Sequence, residues 1–299
     1  FLPLVYFVLY MKKVQTGFVI EFYSNGCLVR TKDADIPCIA IKNVVVGDIV
    51  NIELVQDSKK IKGLILSREP RKSALQKKEG LKSKTIAANI THVGILVTQE
   101  PKTTNEFIDK WILTSILSGI KPFIINNKID LKSDKDYINR LNIYRKLDIN
   151  IYEISAKNNI NIYEIKEYLE EKCVVFVGNS GAGKSTLTNC LTGRDIKTNL
   201  LSNNQGVHTT SISTLYEIKN NIKIIDSPGV RDLPITGWEK NEIIHGFVEL
   251  QKLSKKCKFY DCNHINNDGC AIVNAIDNGE INKSRYNNFI KFRDVKENE

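Results

Sequence analysis

From Val14 to Leu66 the apolar residues fall into short alternating runs, TGFVIEFYS, NGCLVRT, IPCIAIKNVVVGDIVNIELV and KIKGLILS, separated by turn residues. Period-two alternation of this kind predicts about five strands. Asn25-Gly26 marks a hairpin reversal, because both residues tolerate positive φ, and Val46-Gly47-Asp48 marks another. An open sheet this short would leave exposed edges, so closure into a small β-barrel like an oligonucleotide-binding fold is expected.

The texture changes from Ile90 to about Asp232. HVGILVT, KPFIINN, INIYEIS, CVVFVG and IKIID are continuous apolar runs, interleaved with the helical segments FIDKWILTSILSGI and YINRLNIYRKL. Strands buried on both faces read this way, with helices as their crossovers, so an α/β domain with a parallel sheet is expected. From Trp238 to Glu299 the pattern is mostly helical, interrupted by a cysteine and histidine cluster. The expected organisation is multidomain: an OB-like all-β barrel over 12–68, an α/β nucleotide-binding domain over 69–236 that opens with a basic linker at 69–89, and a helical metal-binding unit over 237–299.

Charge adds to this picture. The 299 residues carry a formal charge of +9, and from Asp57 to Lys84 there are ten Lys or Arg against three acids. Such a run either neutralises phosphates of a polyanion such as RNA or forms a solvated linker. The seven cysteines are an odd number in a chain that is not small, which fits a reducing compartment better than a disulfide framework. The opening FLPLVYFVLY is apolar but short of the roughly 20 residues that span a bilayer as a helix. With the one Met at position 11, residues 1–11 are expected to lie outside the fold, as an upstream extension of the start rather than a signal peptide.

The strongest chemical signal is CVVFVGNSGAGKST, which places Gly178, Asn179, Ser180, Gly181, Ala182, Gly183, Lys184, Ser185 and Thr186 between a buried strand and a helix. The glycines let backbone N–H groups surround phosphate oxygens, Lys184 reaches the terminal phosphates, and Ser185 is the expected Mg2+ ligand. This loop reads phosphates and not the base. The base reader is Asn127-Lys128-Ile129-Asp130 at the end of KPFIINN, matching N-K-x-D, whose Asp accepts hydrogen bonds from guanine N1 and N2 that adenine cannot donate. Ser155-Ala156-Lys157 matches the loop that backs the guanine ring. Asp226 and Gly229 form D-x-P-G at a strand end, suited to the magnesium shell and to sensing a γ-phosphate. Between the phosphate loop and D-x-P-G lies Gly206-Val207-His208-Thr209-Thr210, where either threonine serves as the second magnesium ligand. The N-K-x-D element precedes the phosphate loop, the reverse of ordinary small GTPases, and a circular permutation restores the usual site. GTP hydrolysis to GDP is therefore the expected chemistry. A rival reading is an RNA-binding scaffold in which hydrolysis only times release.

Cys257, Cys262, His264 and Cys270 spell C-x4-C-x-H-x5-C, the donor set of a closed structural Zn2+ site. Cys27, Cys38, Cys173 and Cys190 sit singly in apolar surroundings and read as packing residues.

Over residues from about 12 to 299 the chain resembles the RsgA family of small ribosomal subunit biogenesis GTPases. The barrel, NKID, SAK, GNSGAGKST, GVHTT, DSPGVRD and the cysteine and histidine spacing occur in that order. The resemblance implies a cytoplasmic bacterial protein, a monomer without membrane or DNA partners, that binds the 30S ribosomal subunit and its 16S rRNA late in maturation. It also implies that the subunit stimulates hydrolysis. Val230 follows D-x-P-G where Ras-like enzymes have the Gln that positions water, so intrinsic turnover is expected to be slow. The family suggests His208 as the group that orients water; the other reading is that it packs or contacts rRNA. Val207 departs from the family, which usually has Arg before His-Thr-Thr, and the resemblance then implies that a phosphate or rRNA contact is missing there.

Overall fold

The structure, a computed structural model, describes residues 14–23, 26–57, 60–79, 82–193, 213–227, 230, 238–265 and 268–295. The alternating runs fold as β1 (Val14–Tyr23), β2 (Gly26–Arg30), β3 (Asp35–Ile39), β4 (Ile49–Asp57) and β5 (Lys60–Arg68). These pair in the order β1-β2-β3-β5-β4, and β4 returns to β1, so the expected barrel is closed. Its inward positions include Val19, Val29, Ile36, Val50, Ile52 and Ile65, together with Cys27 and Cys38. Burial pushes the two thiols up to about 12 and about 11, so both behave as small apolar residues.

Beyond the barrel the basic stretch forms an antiparallel hairpin, β6 (Ala74–Glu79) and β7 (Lys82–Ala88). Its approach is anchored by Arg71, which donates from Nε and Nη2 to the fully buried Asp48 carboxylate at 2.7 and 2.8 Å. The carboxylate also accepts from the Val45 amide at 2.8 Å. The Val46-Gly47-Asp48 reversal is thus tied to the chain that leaves the barrel.

The continuous apolar runs become β8 (His92–Val97), β9 (Lys121–Asn127), β10 (Ile151–Ile154), β11 (Cys173–Val177) and β13 (Ile222–Asp226), all parallel to one another. With the antiparallel β12 (Ser213–Ile218), they pair in the order β10-β9-β8-β11-β13-β12. Alternate residues feed two cores. Val93, Ile95, Val97 and Val175 pack with α1 (Asn105–Leu117) and α2 (Lys135–Arg145) on one face. Leu96, Phe123, Val174 and Phe176 pack with α3 (Ile162–Tyr168) and α4 (Lys184–Thr192) on the other. The long helices start where polar side chains satisfy first-turn amides: Thr104 accepts from Phe107 N and Asp134 from Tyr137 N. Barrel and α/β sheet are joined where β1 pairs with β12, Glu21 opposite Thr214 and Phe22 opposite Ser213.

The C-terminal residues form a 3-10 turn (Ile243–Gly246), α5 (Val248–Ser254), α6 (Ala271–Asp277) and α7 (Lys283–Arg293). Phe247, Leu250, Ile272, Phe289 and Phe292 make their core, and Leu113 of α1 belongs to the same cluster. Gly246 lets the two units approach, since a Cβ there would overlap Leu113. The seam also holds Arg285, 2 % exposed, which donates to Asp109 of α1 at 2.7 Å and to both carboxylate oxygens of Glu249 at 2.7 and 3.0 Å. Asn288 and Tyr144 donate to the same Asp109 carboxylate. Removing one partner of such a buried pair strands the other, at a cost of about 3–5 kcal/mol. Arg285→Ala is therefore expected to lower the unfolding free energy by about that amount, read from urea denaturation. A loss below about 1 kcal/mol, the range of surface pairs, would show that the network is not holding the seam. Among the described residues no helix is long and apolar enough to cross a membrane.

Candidate functional site

The phosphate loop runs from Gly178 to Gly183, between the end of β11 and the start of α4. Gly181 and Gly183 have φ of +78° and +94°, and a Cβ on Gly183 would collide with the Asn127 side-chain amide. Glycine is required there on both counts. Lys184 folds back over the loop and donates to the carbonyls of Gly178 and Asn179, the latter at 2.8 Å. Ser180 is exposed, and Ser185 and Thr186 are exposed on the first turn of α4.

Across the intervening strand β8, β9 ends at the buried Asn127. Its side chain donates to Ala182 O at 2.9 Å and accepts from the Ala156 amide at 3.0 Å. One amide group therefore joins the N-K-x-D, S-A-K and phosphate-loop segments. Lys128 turns the chain with φ of +70°, and Ile129 N donates to Ile154 O at 3.1 Å. Asp130 is thereby presented at the surface. In the third segment, fully buried Ser155 accepts from Asn158 N at 3.2 Å, which shapes the turn that carries exposed Lys157.

The outcome is one cleft of about 350 Å³, lined by Asn127, Lys128, Asp130, Leu131, Ala156, Lys157, Gly181, Gly183 and Thr186. Residues 130 and 183, far apart and in reversed order along the chain, face the same space. The remaining phosphate-loop residues lie beside it. Asp226 ends β13, and the register of Val175 opposite Ile225 sets it one strand away from the phosphate loop. His208, Thr209, Thr210 and Gly229 lie outside the described residues, as does the 1–11 leader. The cleft opens at the carboxyl ends of parallel strands, next to the β8/β11 pair where the connections switch direction, the usual ligand crevice of an open α/β sheet.

Sequence reasoning does not single out the loop that leaves β8, although it touches both halves of this crevice. Glu100 O accepts from Lys128 Nζ at 2.7 Å, and Lys102 O accepts from Asn179 Nδ2 at 3.3 Å. The one available signal is its place at the end of a buried strand between the two motif-bearing strands.

In the helical unit, the ligand atoms of Cys257, Cys262, His264 and Cys270 all lie within 4.8 Å of one another. Cys257 Sγ is 3.6 Å from His264 Nδ1 and 4.0 Å from Cys270 Sγ, and Cys270 Sγ is 3.8 Å from His264 Nδ1. Edges of a tetrahedron with Zn–S and Zn–N bonds of ordinary length are about 3.6–3.8 Å. Burial, then the Arg293 charge, lower the His264 pKa, which favours the neutral imidazole that ligates metals. Cys27, Cys38, Cys173 and Cys190 take no part in the cluster.

Comparison with known proteins agrees with this fold. The family model described as RsgA GTPase matches residues 68–236. The chain is 36% identical over 258 residues to the small ribosomal subunit biogenesis GTPase RsgA of Flavobacterium johnsoniae, covering 83% of this chain and 79% of that protein. It is 37% identical over 238 residues to the protein of the same name from Pectobacterium carotovorum, covering 77% and 68%. Among solved structures, YjeQ from Thermotoga maritima superposes with a TM-score of 0.73 at 30% identity, covering 94% of this chain and 98% of that one. YloQ, described as a circularly permuted GTPase, superposes with a TM-score of 0.71 at 21% identity over 94% of each chain, a likeness of fold. With the motif order, the closed barrel and these relatives in agreement, the chain belongs to the RsgA GTPase family.

Proposed function

We propose that this GTP hydrolase binds its nucleotide across the cleft shared by Asp130 and Gly183, and that it acts in late maturation of the 30S ribosomal subunit. The shared cleft is the observation that carries the reading. Asp130 accepts from guanine N1–H and N2–H, and the loop Ser155-Ala156-Lys157 backs the ring. Asn127 and the Ile129 amide hold these two segments in register. At the other end the amides of Gly178–Ser185 and the start of α4 cradle the phosphates, and Lys184 exchanges its loop carbonyls for phosphate oxygens.

Ser185, with Thr209 or Thr210 and the Asp226 shell, would hold Mg2+, and hard oxygen donors on a helix start and an adjacent strand end fit that ion. When bound, Mg2+ neutralises charge shared by the β- and γ-phosphates. Val230, 2 % exposed, is buried and has no group to position water, so His208 supplies that role once its loop engages the ribosome, while Gly229 senses the γ-phosphate. Cys257, Cys262, His264 and Cys270 hold one structural Zn2+; four protein donors within 4.8 Å of one another leave no open position for chemistry. The partner is the 30S subunit through its 16S rRNA, consistent with the small ribosomal subunit in the relatives' name and the +9 charge. The protein works in the cytoplasm as a monomer, without DNA or membrane partners.

Turnover of GTP and of ATP, each with and without 30S subunits, tests this reading. Strong stimulation confined to GTP is expected, and equal turnover of ATP, or indifference to the subunit, would reject it. His208→Ala is expected to reduce stimulated turnover by roughly 10²- to 10⁴-fold, the range of positioned acid–base groups. Undiminished stimulation would remove His208 from the chemistry.

A further inference from the structure

We infer that the loop from Thr98 to Thr104 is a brace that fixes the spacing between the guanine-reading and phosphate-binding ends of the cleft, with Thr98 and Thr103 as its positioning residues. This rests on the reading of the cleft given above. Topology puts the loop in the right place: it leaves β8, which lies between β9, bearing Asn127, and β11, which Gly178 follows directly. On one side its Glu100 carbonyl holds Lys128 Nζ at 2.7 Å. On the other its Lys102 carbonyl holds Asn179 Nδ2 at 3.3 Å, and Pro101 lies against Gly181.

A loop can set a distance only if it is itself stiff, and this one is cross-tied by two fully buried threonines. Thr98 N donates to Thr103 Oγ1 at 3.0 Å, Thr103 N returns to Thr98 O at 3.0 Å, and Thr98 Oγ1 donates to Pro101 O at 2.7 Å. Outside, Gln99 pairs with Asp134, accepting from its amide at 3.0 Å and donating to its carboxylate at 3.1 Å. Arg140 donates to Thr103 O at 2.7 Å. The backbone carbonyls at 100 and 102 are therefore aimed by groups that do not touch the cleft. Holding two binding elements at a fixed separation favours a ligand that spans both, whatever its phosphate count, so the brace acts on binding and not on the chemical step.

Valine keeps the shape of threonine but cannot accept from the Thr98 amide, and a buried donor left unpaired loosens the loop. Binding of N-methylanthraniloyl GDP and GTP to the full chain, with Mg2+ present, is the measurement. Thr103→Val is expected to raise Kd for both nucleotides together by about tenfold, and KM for GTP likewise, with 30S-stimulated kcat within twofold. Thr103→Ser, which restores the acceptor, is expected to restore affinity. Gln99→Ala, a surface change that leaves the core filled, is expected to give a smaller shift in the same sense, about threefold. Thr114→Val, at a buried threonine of α1 whose hydroxyl finds no partner among the described residues, serves as a control with unchanged Kd. Kd within twofold of wild type for both Thr103→Val and Gln99→Ala would overturn the brace, as would a loss confined to kcat. Failure of the wild-type chain to bind either nucleotide would instead overturn the reading of the cleft.

Discussion

Asp130→Asn is expected to lower kcat/KM for GTP by about 10²- to 10⁴-fold. Two charge-assisted hydrogen bonds to the guanine edge are lost, each contributing about 1.5–3 kcal/mol, and every 1.36 kcal/mol is a factor of ten. The replacement also turns an amide N–H toward a base edge that itself presents N–H groups. Xanthine carries an acceptor at position 2, so turnover of xanthosine triphosphate is expected to rise relative to GTP. Asp130 is exposed and Asn127 supplies the hydrogen bonds that hold the loops together, so the melting temperature is expected to stay within a degree or two of wild type, as for surface changes of about 0.5 kcal/mol. Competition assays with GTP, xanthosine triphosphate and ATP measure the first two outcomes, and a thermal melt the third. Unaltered nucleotide preference in the variant would place the base elsewhere.

Cys270→Ser is expected to release the metal and unfold the helical unit while the nucleotide cleft keeps its affinity for GDP. Cys270 is 1 % exposed and immediately precedes α6, within the cluster of Ile272 and Phe289. A unit of this size has a small core, and in small zinc domains the metal supplies on the order of 10 kcal/mol of folding free energy. Loss of one thiolate should remove much of that. Zinc content by mass spectrometry and amide exchange across 238–295 report the two halves of the effect. Cys190→Ser is the control, since that thiol lies on α4 and donates to Ala156 O. Wild-type protein purified without metal, yet fully protected in α5, α6 and α7, would contradict the assignment.

What was legible in the sequence follows from how local each signal is. The barrel strands alternate within single segments, and the buried strands β8 and β11 are unbroken apolar runs, so each can be read without its neighbours. Gly183 is legible because its backbone conformation and its contact with Asn127 exclude other residues. The pairing of Arg285 with Asp109 is not, because two charged residues 176 positions apart carry no mark of each other. Asp109 even sits in the apolar stretch FIDKWIL, where only its burial in the folded chain reveals a partner. The basic stretch after the barrel reads either as a phosphate-binding run or as a linker; it forms a hairpin whose strands put Lys77 opposite Lys84, a pairing that periodicity does not announce. Thr98 and Thr103 escape notice for a related reason: they act by fixing backbone carbonyls, and carbonyls have no sequence signature.

The pairing of β1 with β12 has a consequence for how the protein is made. Ribosomes add about 5–20 residues each second, so Ser213 follows the end of the barrel at Arg68 by roughly 7–30 s. Throughout that interval Glu21 and Phe22 have a finished barrel behind them and no β12 beside them. The half that carries Asn127 and Asp130 emerges before the half that carries Lys184, so in the proposed binding mode nucleotide is unable to template the early stages of folding. The nascent chain therefore waits with an unpaired strand edge until the last third is translated, and that edge is where a chaperone, or a wrong neighbour, has its opportunity.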